Sequence, residues 1–134
     1  MSPLEIAIEK FAIVSFLVIG VSHMAQPRAW AEFFIRVREK GTTGSFINAF
    51  IHFPLGALIV AFHNVWSGIP MILTLLGYGW MIKGFIYFVF PRQGLKVMRH
   101  VSVERSWEFV VAGATMIVLA ELFLFSLSRR GALG

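Results

Sequence analysis

Cysteine and aspartate are both absent from this chain of 134 residues. Without cysteine there is no disulfide framework and no thiolate metal site. Without aspartate there is no Ser-His-Asp triad, and no serine stands in a nucleophile elbow. No P-loop or GxGxxG occurs, so nucleotides are not expected as partners. No HxxxH or HxxE spacing falls within one apolar run, so no metal is expected either. Charge is also scarce. Only 14% of the residues are Asp, Glu, Lys or Arg, against roughly 25% in an average soluble domain. That is too little to cover a water-facing surface, and it excludes a soluble enzyme and a disordered tail. What fills the chain instead is apolar: 57% of residues are hydrophobic and 14 are Phe, for a mean hydropathy of +0.77. The composition is that of a small integral membrane protein.

A spanning helix needs about 20 mostly apolar residues. Four runs qualify by eye: about 4–24, 43–66, 70–90 and 103–128. Pro3 and Pro70 suit first helical turns, Pro27 and Pro91 mark stops, and Ser102 is placed to cap the last run. The second and third runs are separated only by Ser67, Gly68 and Ile69, which predicts an antiparallel hairpin. Between the first two runs, Trp30, Phe33, Phe34 and Val37 recur at i, i+3, i+4 and i+7. That is the period of an amphipathic helix over about 27–40, too short to span and suited to the interface plane. The predicted fold is therefore all-α: one transmembrane domain over 1–134, a four-helix bundle with an interfacial helix between helices 1 and 2.

The net charge is +5, but no basic patch with interleaved aromatics lies outside the apolar runs, so nucleic acid is not expected as a partner. The cations cluster between runs one and two (Arg28, Arg36, Arg38, Lys40) and between runs three and four (Arg92, Lys96, Arg99, Arg105). The opposite side has only Lys10, Arg129 and Arg130. The positive-inside rule puts the basic loops in the cytoplasm and both termini in the periplasm of a multi-pass inner-membrane protein. The first run starts with Glu5 and Glu9 rather than a basic cluster and lacks a cleavage site, so it reads as a retained helix.

Ionisable groups inside a membrane are costly and are functional candidates. Here they are Glu9, His52, His63, Lys83, Glu108 and Glu121. Helical spacing puts Glu5, Glu9 and His23 on one stripe of the first run, and Asn48, His52 and His63 on one stripe of the second. Lys83 is expected to face the bundle and to pair with Glu108, while His52 bonds Asn48 or a water. His23 and His52, both near the cytoplasmic end, are the pair that could hold a haem if one were bound; the bland alternative is hydrogen-bonded structural histidines and no cofactor. Small residues mark expected helix contacts: Ala12, Ser15 and Ser22; Ala57 and Ala61; Thr74, Gly77 and Gly84.

The stretch His63-Asn64-Val65-Trp66-x-Gly68-x-Pro70, followed by Thr74, Gly77, Lys83-Gly84, Tyr87 and Pro91, resembles a pattern in small uncharacterised bacterial four-helix membrane proteins. The resemblance covers about 30 residues and implies a bacterial inner-membrane setting and no particular chemistry. The leading expectation is a non-catalytic subunit or homo-oligomeric component of a membrane complex, with lipid and other membrane subunits, or itself, as partners. An ion- or proton-coupled small-molecule transporter and a haem- or quinone-binding anchor of a redox complex are the alternatives.

Overall fold

In a computed structural model, described over residues 1–134, the chain forms six helices and no strand. They are α1 (Pro3–Ala25), α2 (Pro27–Glu39), α3 (Thr42–Phe62), α4 (Pro70–Val89), α5 (Pro91–Met98) and α6 (Trp107–Arg129). This corrects the expected bundle of four spans plus one interfacial helix. The basic segment after Pro91, expected to be a loop, forms α5, with Pro91 at its first turn and Gly94 and Met98 buried. Only three helices, α3, α4 and α6, are long and apolar enough to cross a membrane. Helix α1 carries Glu5, Glu9 and Lys10 early in its length and is not among them.

Other boundaries also move. Helix α3 stops at Phe62, four residues short of the expected end, and an irregular turn over 63–69 joins it to α4. Gly68 takes a positive φ of 66° there, a backbone region that favours glycine. Ser102 does not cap α6. Its hydroxyl accepts from the Arg105 N–H at 3.3 Å, and the helix begins only at Trp107 without a side-chain cap. At the start of α1 a capping box forms: the Glu5 N–H donates to Ser2 Oγ at 3.2 Å and the Ser2 N–H returns to Glu5 Oε2 at 2.6 Å.

The helices pack as two pairs, α1 with α6 and α3 with α4, with sparse contact between the pairs. Glycine sets both seams. A Cβ on Gly113 would lie 2.5 Å from the Gly20 carbonyl oxygen, and one on Gly84 would lie 2.6 Å from the Phe53 nitrogen, so in each pair the backbones touch. Arg130 reaches Met1, which puts both ends of the chain at one end of the molecule beside the 63–69 turn. Helices α2 and α5 cover the other end, packing on α3, α4 and α6. Arg38 ties these two helices by donating to the Met98 and Val101 carbonyls at 3.0 and 2.9 Å.

A core of Ile8, Ala12, Ile13, Phe16, Ile59, Leu73, Ala120, Phe123 and Leu127 fills the end nearer the 63–69 turn. A smaller one of Val37, Ala49, Tyr87 and Met98 lies under α2 and α5. The outer faces are also apolar: Val18 and Phe50 are each 66% exposed. Water would penalise such faces and lipid would not. Together with the three apolar helices they are compatible with a multi-pass membrane protein.

Candidate functional site

Helix α1 buries a stripe of Ile8, Glu9, Ala12, Ile13, Phe16, Gly20 and His23, so its two polar members face protein. Glu9 meets His63, the first residue past α3. His63 is turned inward, and its Nε2 lies 3.3 Å from Glu9 Oε1. On its other edge, His63 Nδ1 lies 3.0 Å from Thr74 Oγ1 on α4. All three residues have zero exposure. The Thr74 hydroxyl accepts from the Val65 N–H at 3.2 Å and donates to the Val65 carbonyl at 2.9 Å. Glu9 Oε2 is buried without a partner.

His52 and Lys83 form a second group. His52 Nδ1 donates to the Asn48 backbone carbonyl at 2.9 Å, which leaves Nε2 as an acceptor. Lys83 Nζ donates to that nitrogen at 3.2 Å. This corrects the expected Lys83–Glu108 pair. Glu108 stands at the start of α6 and instead accepts from His100 Nε2 at 2.9 Å, a partner eight residues back that helical spacing does not point to. Glu121 is exposed on α6 and joins neither group. The six candidate residues thus fall in four places: Glu9 and His63 in a sealed group with Thr74, His52 with Lys83, Glu108 hydrogen-bonded to His100 near the surface, and Glu121 alone.

Between the two helix pairs lies an apolar cleft of about 330 Å³. Helices α1 and α3 line it from opposite sides, with Trp30 and Phe34 of α2 at one end and Trp80 of α4 and Met116 of α6 further in. Phe11, Ile51 and Leu55 line it as well and are exposed, so the cleft opens on the outer, apolar face of the helices. Its polar groups are few. His23 Nδ1 donates to the Ile19 carbonyl at 2.8 Å, which fixes the tautomer and leaves Nε2 as an acceptor. The Trp30 indole donates to Ser22 Oγ at 2.9 Å, whereas the Trp80 indole has no acceptor within the protein. Phe16 packs edge-on against Trp80 with centroids 5.8 Å apart, and Trp30 stacks on His23 at 4.2 Å.

His23 and His52 do line one cleft, as a haem pair would require. The fit nevertheless fails. The only free nitrogen of His52 already accepts from Lys83 Nζ at 3.2 Å, and an iron there would have to displace that bond. No group of three or more His, Cys, Asp or Glu side chains is placed to hold a metal ion. Thr74, Trp80 and the cleft itself went unrecognised in the sequence. Spacing alone puts Thr74 on a small-residue seam with Gly77 and Gly84, and the aromatics of an apolar helix give no sign of which face they line. Comparison with known protein families, curated proteins and solved structures finds no match to this chain.

Proposed function

We propose that the protein is a membrane-embedded binding component for a quinone-class molecule, a flat lipophilic ring bearing two carbonyl or hydroxyl oxygens. The observation that carries this reading is the cleft. Its volume falls within the range of about 300–1,000 Å³ typical of small-molecule sites, and such sites are apolar with a few placed polar groups. Aromatic walls suit a planar ring. His23 Nε2 accepts from a quinol hydroxyl, and the Trp80 N–H donates to a quinone carbonyl. The mouth opens onto apolar surface, where a lipid-soluble ligand is delivered.

The reading is compatible with the expected subunit role, a non-catalytic part of a redox complex. The exposed apolar faces alone do not support a protein partner, since lipid covers them equally well. Transport has less support: Glu9 and His63 are sealed at zero exposure, and Glu121 stands apart from them. The setting belongs to the same proposal: a bacterial inner membrane, with the basic α2–α5 end in the cytoplasm and the end bearing Met1 and Arg130 in the periplasm. Impermeant thiol labelling of single cysteines in intact cells tests it; labelling at Thr42→Cys and Gln93→Cys with protection at Ser2→Cys reverses the orientation.

Titration of a short-chain benzoquinone into the protein in lipid nanodiscs tests the binding. Trp30 and Trp80 border the cleft, so tryptophan emission is quenched saturably. Trp80→Phe removes a large part of the quenching. His23→Leu weakens binding about 5- to 10-fold, the loss of one hydrogen bond of about 1 kcal/mol. Non-saturating quenching that is unchanged by His23→Leu refutes the reading.

A further inference from the structure

We infer that Glu9, His63 and Thr74 form a proton-binding site, in which one bound proton sits on Glu9 and also sets the hydrogen bonding of the turn between α3 and α4. The inference stands independently of what the cleft binds. It follows from counting protons among the observed bonds. Thr74 has one hydroxyl proton and two backbone carbonyls within reach, Val65 at 2.9 Å and His63 at 3.3 Å, and the nearer takes it. With that bond made, the two lone pairs of Oγ1 receive the Val65 N–H at 3.2 Å and His63 Nδ1 at 3.0 Å. Nδ1 must then carry a proton. One further proton belongs between His63 Nε2 and Glu9 Oε1, 3.3 Å apart.

Two placements of that proton keep the pair neutral overall. Placed on nitrogen, it makes an imidazolium and a carboxylate. Placed on Oε1, it makes a carboxylic acid donating to a neutral imidazole. The second oxygen of Glu9 decides between them. Oε2 is fully buried with no partner, and an unpaired carboxylate oxygen costs more to bury than an unpaired carbonyl oxygen. The acid form leaves only a carbonyl unpaired. Donors then run in one direction, from Glu9 O–H to His63 Nε2, from His63 Nδ1–H to Thr74, and from Thr74 O–H to the Val65 carbonyl.

Loss of the proton changes every bond in that series. Glu9 becomes a carboxylate, and the one proton left on His63 moves from Nδ1 to Nε2 to face it. The Thr74 hydroxyl then turns from the Val65 carbonyl to the bare Nδ1. Exactly one proton leaves, and the 63–69 turn loses the bond from Thr74 to Val65. The charged residues on the surrounding elements do not neutralise the pair. Glu5 is bonded to Ser2, Lys10 on α1 and Glu121, Arg129 and Arg130 on α6 are exposed, and Tyr78 on α4 is half-buried. Helix α3 carries no charge next to His63. Among the side-chain hydrogen bonds, the Glu9–His63 bond is the one linking α1 to the α3–α4 pair, so the proton also bears on how the two pairs are held together.

Infrared spectroscopy of the protein in nanodiscs tests the inference. A protonated-carboxyl carbonyl band is expected at neutral pH, absent in Glu9→Gln and retained in Glu108→Gln and Glu121→Gln. Nitrogen NMR of histidine-labelled protein gives a second readout that spares Glu9, with His63 assigned in a variant whose other three histidines are Gln. Protonated Nδ1 with unprotonated Nε2 supports the site. Protons on both nitrogens at neutral pH, or a carboxyl band that survives Glu9→Gln, overturns it.

Discussion

Replacing Thr74 by Val removes one hydroxyl and almost no volume, so it separates hydrogen bonding from packing at a fully buried position. Thr74 is fully buried, and its Oγ1 accepts from the Val65 N–H and pairs with His63 Nδ1. In Thr74→Val both groups lose their partner. An orphaned buried donor costs about 1–3 kcal/mol. The His63 nitrogen stands at zero exposure and bears the full cost. The Val65 N–H is only partly buried and recovers some hydration. The sum is about 2–4 kcal/mol, or roughly 30- to 1,000-fold in the unfolding equilibrium. Thr74→Ser keeps the hydroxyl and loses one methyl, at about 1 kcal/mol. The internal control is Thr115, which is exposed and donates only to the Val111 carbonyl one turn back, at 2.9 Å. Thr115→Val should change stability by less than about 0.5 kcal/mol. The assay is equilibrium unfolding in mixed micelles. If Thr74→Val and Thr115→Val are equal within error, the hydroxyl does not hold the turn and the proton count above loses its anchor.

Two glycines on α4 should respond in opposite ways. A Cβ on Gly84 meets the Phe53 backbone, whereas one on Gly79 meets nothing within 4 Å; Gly84→Ala should destabilise by about 1–3 kcal/mol, and Gly79→Ala should stabilise by up to about 1 kcal/mol, both read by thermal unfolding in detergent. Arg38→Gln removes the guanidinium that joins Met98 and Val101 to α2, and hydrogen exchange over 98–106 should accelerate while that of α3 does not. Glu5 has its pKa lowered, chiefly by the Ser2 backbone N–H that it accepts. Its contribution to stability is therefore present above the ordinary carboxylate range and is lost as pH falls through the lowered value. Glu5→Gln should flatten that acid-side decline, and an unchanged pH profile would remove the capping box from the account.

Proline and periodicity made much of the helical content readable in the residues. Pro3, Pro27 and Pro70 each open a helix as expected, and the Trp30–Val37 spacing marked α2. The same signals failed where tertiary contacts compete with local pattern. His63 to Trp66 reads as a continuation of an apolar run, yet the chain leaves the helix there because His63 turns in to Glu9 and Thr74. Residues 91–98 read as a basic loop, yet they coil into α5 because Gly94 allows close approach to Tyr87 and Met98 fills the core under α2.

The sequence by itself determined that the chain is helical, that its outer surface is apolar, and that its cations gather at one end. Those properties depend on composition and on spacing along the chain, and a linear reading recovers them. Which helix pairs with which was decided only in three dimensions. The long helices carry apolar residues on most faces, so periodicity does not distinguish the side that packs inward from the side left exposed. Backbone contact at Gly20–Gly113 and at Gly84–Phe53 made that choice, and the choice set the site. It placed Glu9 against His63 rather than near any cation, gave Lys83 an imidazole in place of Glu108, and left a cleft between the pairs lined by His23, Ser15 and Trp80 among its few polar groups. A hydrogen bond of about 3 Å depends on the relative placement of two helices, and that placement is not encoded in the spacing along either one.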